Sequence, residues 1–358
     1  KLDAAGLRAL EKEGIDRVLD LSADLDGRML KLHARSVWLV GGSWHPLVAE
    51  PPAYPERLAR AAVAESGEWA VLLRPSEAVG AQTVALRPQN LFQTGGKALD
   101  LACGDIDGDG QGDLVLLFAD RIEFWQGQDD RFAFRQTRRL PESAASFPQP
   151  RDLAGEAAIC AAPGKTGRLA IATNALVGGA SFSWDGEMLR ELGPVAGAPV
   201  ACIDGAFAFG RYRPGSVLFE PALYPETSAP PLVKFAEPFV SAAYLGENKQ
   251  WIEVTANGRT RFAGESAPSS QTCGAQPAAL PGPGGQKLVC SRASTRPTRD
   301  AFRFLTPTDA DGNPENAADA TPGEIVALSS GPTCGWGVVY AARYLSGENR
   351  TQVERLGR

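Results

Sequence analysis

The chain has 358 residues, enough for two domains or for one large all-β domain. Hydrophobic residues make up 44% and charged residues 22%, which excludes wholesale disorder; Gly 39 and Pro 27, together about 18%, point to many turns and short elements. The net charge of −6 argues against duplex nucleic acid as a partner, and the absence of a run of about 18 apolar residues argues against a transmembrane segment.

The first residue is Lys1 and no signal peptide is visible, as expected of a mature product or of a fragment of a longer precursor. Residues 4–13 carry Leu7 and Leu10 among charges at helical spacing and predict a short amphipathic helix ending near Gly14. Arg17 to Ala23 reads as a strand, Asp26-Gly27 as a two-residue turn, and Met29 to Leu39 as the returning strand. Residues 1–40 are therefore expected to form an α/β fragment. Residues 41–67, dense in Gly and Pro at their start, read as a linker with a short helix over roughly 55–66.

From residue 68 to 358 the pattern changes to short apolar runs separated by turns. Leading strands are predicted at Trp69–Leu73, Leu114–Phe118, Leu169–Ala172, Ser216–Phe219, Trp251–Val254, Lys287–Cys290 and Ile325–Leu328. Starts spaced by 35 to 55 residues suggest a repeated module. Residues 113–140 and 167–192 are the best-matched pair: a buried strand, a middle strand ending near Trp125 or Trp184, a polar turn and an outer strand. Asn257-Gly258 is a strong hairpin turn. The expected fold is mainly β: a β-propeller of about seven blades, several degenerate, in which stacked blades bury faces that none could bury alone. Long inserts around 141–155, 221–231, 265–286 and 306–323 would supply a binding surface.

The chemistry concentrates in residues 104–118. Asp105, Asp107, Asp109 and Asp113 place four carboxylates within nine residues, a crowding that a hard divalent cation would relieve. Calcium, with six to eight oxygen ligands in flexible geometry, suits best. Gly108 and Gly110 permit loop closure, and Gln111 is expected to add its backbone carbonyl. The loop is not an EF-hand, because Leu116 stands where a bidentate Glu is required and a strand follows at once. The pattern D-x-D-x-D-G-x-x-D-L-V resembles the FG-GAP or VCBS repeat of integrin-type β-propellers. That resemblance implies Asp105, Asp107, Asp109 and Asp113 as side-chain ligands of Ca2+. Asp309, Asp311 and Asn313 form a degenerate second loop before Ile325, equally readable as a solvated acidic turn. At the N-terminus, residues 14–35 resemble the helix-strand-strand ending of the small α/β module in TolB-type envelope proteins; a hairpin cap on the following domain explains the same pattern.

The six cysteines lack any C-x-x-C pair, so zinc ribbons and thioredoxin-type sites are unsupported. Cys273 and Cys290 flank a Gly/Pro-rich loop and are candidates for a local disulfide of about 3 kcal/mol, against a reading of the cysteines as small buried hydrophobes. The two histidines, His33 and His45, suit a strand and a loop rather than a catalytic base. No G-x-S-x-G elbow and no H-E-x-x-H occur, and Pro163 to Thr166 ends like a phosphate loop but lacks its first Gly. The leading reading is a non-catalytic, calcium-binding propeller acting as an interaction or assembly scaffold. It would work in the bacterial periplasm, at the outer membrane or outside the cell, with protein partners in a larger complex. The alternative is a propeller-type lyase or hydrolase, or a protein that binds polysaccharide.

Overall fold

The computed structural model describes residues 17–26, 29–38, 56–64 and, with interruptions, 88–357; the longest interruptions are 265–272, 281–286, 292–298 and 306–320. The described residues contain strands and turns and no α-helix. The chain divides into two compact units, Lys1–Ala78 and Val79–Arg358.

In the first unit, β1 (Arg17–Asp26), β2 (Met29–Trp38) and β3 (Glu56–Ala64) form an antiparallel sheet in the order β1-β2-β3. The predicted hairpin is present, closed by the Asp26↔Met29 pair. The helix expected over 55–66 is instead β3, and it takes up part of the expected linker. Its Ala, Arg and Leu residues favour helix locally, but β2 offers a complete second edge, with pairs running from Met29↔Ala64 to Val37↔Glu56. The helix predicted at 4–13, His45 and the strand predicted at 69–73 lie outside the described residues.

The second unit is a succession of small antiparallel sheets. β4 (Gln89–Gly95) is followed by β5 (Asp100–Gly104), β6 (Asp113–Leu117), β7 (Arg121–Gln128) and β8 (Arg131–Arg139), of which β5 to β8 form one four-stranded sheet. β9 (Gly155–Cys160), β10 (Arg168–Thr173), β11 (Gly179–Trp184) and β12 (Leu189–Val195) form the next. β13 (Ala198–Ile203), β14 (Ala206–Tyr212) and β15 (Phe219–Pro225), with β16 (Val233–Lys234) beside β15, meet β17 (Phe239–Leu245), β18 (Gln250–Thr255) and β19 (Thr260–Phe262) through the single pair Phe219↔Phe239. They are two groups touching at one point. β20 (Ala278–Leu280), β21 (Lys287–Ser291) and β23 (Phe302–Leu305) form a three-stranded sheet, and β22 (Arg299–Asp300) pairs with β24 (Thr321–Pro322). Finally β25 (Glu324–Ser329), β26 (Val338–Leu345) and β27 (Arg350–Gly357) take β4 as a fourth strand, so both ends of this unit share one sheet.

The first strands of successive groups lie side by side: β5 packs on β9, β9 on β13, β13 on β17 and β17 on β20. The last group returns to the first, with β20 against β26 and β25 against β5. The core lies between the faces of neighbouring sheets. Val115, Leu117 and Phe124 of the first meet Ile159, Leu169, Ile171 and Phe182 of the second, while Leu101, Leu114 and Leu116 meet Ala327, Tyr340 and Val353 of the last. The fold is propeller-like. Five of the seven leading runs fall in separate strand groups, four of them as second strands, because the first strands are short and rich in small residues. The run at 216–219 is displaced: β15 begins at Phe219 and occupies much of the insert expected over 221–231. It does so because β15 pairs with β14 and β16 on either side, while Ala222 and Leu223 are buried.

Candidate metal centre

The pair Gly104↔Asp113 closes the β5–β6 hairpin and leaves residues 105–112 as the connecting loop. Its aspartates first serve the backbone. Asp105 Oδ1 accepts the Gly108 amide (2.7 Å) and its Oδ2 the Gly110 amide (3.0 Å). Asp107 Oδ1 accepts the Asp109 amide (3.1 Å), and Asp109 Oδ1 the Gln111 amide (2.8 Å). These turns need left-handed backbone at Gly108 and Gly110, with φ of 83° and 88°. The chain therefore curls around its own carboxylates, and one oxygen each from Asp105, Asp107 and Asp109 lies within 4.8 Å of the others.

Asp105 is buried, Asp107 half-buried and Asp109 exposed, so the triad opens to solvent at Asp109. Partial burial, with the charges of Asp107 and Asp105 added, raises the Asp109 pKa against the opposing Gln111 amide. Three carboxylates in such a space suit a hard cation that accepts oxygen ligands. Among the described residues this is the group of three acidic side chains close enough together to hold a metal ion.

Asp113 stands apart from the triad. Fully buried, it accepts the Ile106 amide on Oδ2 and the Gly127 amide on Oδ1, both at 2.9 Å. Burial lifts its pKa to about 7 despite those two amides, with Asp107 and Asp109 adding to the rise. It therefore frames the loop. Gln111 keeps an exposed position with its amide on Asp109. The weaker second set, Asp309, Asp311 and Asn313, lies outside the described residues.

Residues that spacing did not reveal complete the surroundings. Gln126 Nε2 on β7 donates to Asp107 Oδ2. Gly167, at the start of the neighbouring sheet, donates its amide to Ile106 O (3.1 Å), and a Cβ there would meet Asp105 O at 2.4 Å. A Cβ at Gly127 would meet Gly112 O at 2.2 Å. These glycines admit close backbone approach, the signal that a reading centred on the aspartates passes over.

Two disulfides join neighbouring sheets at the same end of the strands as this loop. Cys103 of β5 bonds Cys334 beyond β25, and Cys160 at the end of β9 bonds Cys202 of β13. The expected Cys273–Cys290 bridge is not formed. Both residues pack in one apolar cluster with Leu288, Val289 and Phe302, as small buried hydrophobes. Two cross-sheet disulfides are consistent with an oxidising compartment. No helix among the described residues is long and apolar enough to cross a membrane.

No family model matches the chain, so the calcium-loop resemblance rests on the loop residues themselves. No curated protein matches it either. Among solved structures, TolB from Acinetobacter baumannii is similar over 87% of this chain and 81% of that one, at 12% identity and a TM-score of 0.32. That likeness is too distant to bear on function.

Proposed function

We propose that this protein is a non-catalytic, calcium-stabilised β-propeller of six blades that acts as a protein-interaction scaffold in the bacterial cell envelope or outside the cell. The observation carrying this reading is the gathering of the Asp105, Asp107 and Asp109 carboxylates on a loop braced against the next sheet. Calcium on these three residues, with backbone oxygen and water completing its shell, would fix the β5–β6 hairpin and the neighbouring connection together. A site of modest affinity fills at millimolar external calcium and stays empty at cytosolic levels. The disulfides favour the same compartment. Six strand groups among the described residues, chained by contacts of β5 with β9, β9 with β13, β13 with β17, β17 with β20, β20 with β26 and β25 with β5, support that blade count.

The interaction surface we assign is the opposite end of the strands. There the 144–148 segment and the β10–β11 turn interlock through Ser146 N to Ala175 O (2.9 Å) and Val177 N to Ala144 O (2.8 Å). Buried Asn174 braces them, donating to Asp152 O and Ser216 O and accepting the Ala154 amide. This framework holds Phe147 (92% exposed), Val177 (62%) and Leu153 (49%) out in water. Exposed apolar side chains on a braced framework support a contact surface at this end.

Thermal unfolding with calcium or chelator tests the metal. Calcium at about a hundred times its dissociation constant stabilises by about 2.7 kcal/mol. Asp109→Ala, which gives up one exposed backbone contact, should remove that rise. An unchanged chelator response in the variant would eliminate the loop as the calcium site. Affinity purification from the native host, with Phe147→Ser as the control, tests the scaffold: partners retained by wild type should be lost by the variant.

A further inference from the structure

A second acidic group lies deep between the first two sheets of the second unit, and the metal loop makes no use of it. Asp100 opens β5 and Glu156 is the second residue of β9, the strand packed beside it. Both are buried, at 4% and 8% exposed. Asp100 Oδ2 accepts the Ala157 amide at 2.6 Å, which carries its carboxyl across the junction to the residue next to Glu156. The hydroxyl of Tyr212, from β14, is buried close enough to feel both acids and has no hydrogen-bond partner among the described residues.

The same device occurs elsewhere with a different neighbour. Asp300 Oδ2 accepts the Ile325 amide across to β25, but there Arg343 lies alongside, donating to Asp300 O at 3.2 Å and to Glu354. At Asp100 the companion is a second acid. The charged groups on the other packed elements are engaged elsewhere. Asp113 of β6 holds two amides, Arg168 of β10 pairs with Glu226, Arg211 of β14 lies over Tyr224, and Glu324 of β25 pairs with Lys97. β13 carries no ionisable side chain except Cys202, which is in a disulfide. Two carboxylates cannot both be charged in such a place without a large cost.

We propose that Asp100 and Glu156 form a proton-held clasp between the β5 and β9 sheets, closed while the pair retains a proton and loosened when alkalinisation removes it. Burial supports this by raising Asp100 to about 7, and burial together with the Asp100 charge pushes Glu156 well above the carboxylate range. In the unfolded chain both ionise near pH 4. Between there and about pH 7 the folded state holds more protons, so the clasp's contribution is complete below about pH 4 and is lost as pH rises. For Asp100 the rise from its ordinary value to about 7 is roughly a thousandfold change in acid dissociation.

The test is the melting temperature of wild type and Glu156→Gln from about pH 5 to about pH 8 at fixed calcium. The variant should gain on wild type by about 5–10 °C across that range, because its amide has no proton to lose. A side chain important only for packing would shift both curves by a constant amount. A constant difference therefore overturns the proposal. If Glu156→Gln does not fold, Asp100→Asn, whose amide oxygen can still accept the Ala157 N–H, replaces it with the same expected and refuting results.

Discussion

Removing the Cys103–Cys334 bond should reveal how much the ring depends on joining its two ends. The two residues are separated by 231 positions, and the bond ties the first strand group to the last. In the chain-entropy treatment a loop of that length, once closed, removes about 5 kcal/mol of freedom from the unfolded ensemble; the Cys160–Cys202 loop, with a separation of 42, removes about 4 kcal/mol. The native state itself should survive in Cys103→Ala/Cys334→Ala, because the β4–β27 ladder and the apolar layer around Leu101, Leu114, Ala327 and Val353 join the same ends without sulfur. The expected result is a native circular dichroism spectrum with a melting temperature lower by about 10 °C, at about 2 °C per kcal/mol for a unit of this size. The Cys160→Ala/Cys202→Ala pair should lose somewhat less, and reductant should bring wild type below either variant. A melting temperature unmoved by opening Cys103–Cys334 would refute the reasoning, since it would mean that this bond does not close a long loop in the unfolded chain.

Two further substitutions probe the joints around that bond. Asp113→Ala strands the buried Ile106 and Gly127 amides and should cost about 2–5 kcal/mol equally with calcium and with chelator; a cost confined to calcium would make Asp113 a ligand instead. Thr351 is fully buried, accepting the Ala98 amide (2.9 Å) and donating to Gly96 O (2.7 Å), so Thr351→Val should lower the denaturant midpoint by about 1–3 kcal/mol equivalent, with no change in slope.

What could be read from the amino-acid order follows the physics of each strand. β6, β10, β18 and β21 are rich in Val, Leu and Ile and flanked by turn residues, and each appears where its composition placed it. The first strands are written differently. Asp100-Leu101-Ala102-Cys103-Gly104 and Gly155 to Cys160 are short and built from small residues, because they lie where neighbouring sheets crowd together; residue preference gives little sign of them. β3 failed for the opposite reason, a helix-favouring composition overruled by an available edge. In the acidic loop the residue types suggested a cation site, and three of the four carboxylates do converge. The spacing did not reveal that Asp113 accepts two buried amides from Ile106 and Gly127, since hydrogen-bond donors brought in by the fold are not written in the spacing. Cysteine pairing was hidden likewise: nearness in sequence favoured Cys273 with Cys290, whereas the bonds formed join strands brought together only by the closed array.

These first strands also carry most of what distinguishes the molecule. β5 alone begins at the acid pair, contributes a disulfide cysteine and ends at the carboxylate loop, all within Asp100 to Asp105. A strand loaded in this way makes its two ends mechanically dependent, since sliding β5 against β9 would disturb the Asp100–Ala157 bond and the Gly167–Ile106 bond together. Cation binding at one end and proton retention at the other, as proposed above, would therefore act on the same junction. Calcium would hold that junction where the acid pair, once ionised, pushes it apart. On this account the stabilising effect of calcium should grow with pH over the range in which Asp100 titrates in wild type, and that dependence should weaken in Glu156→Gln, leaving the share that buried Asp100 and the loop carboxylates carry.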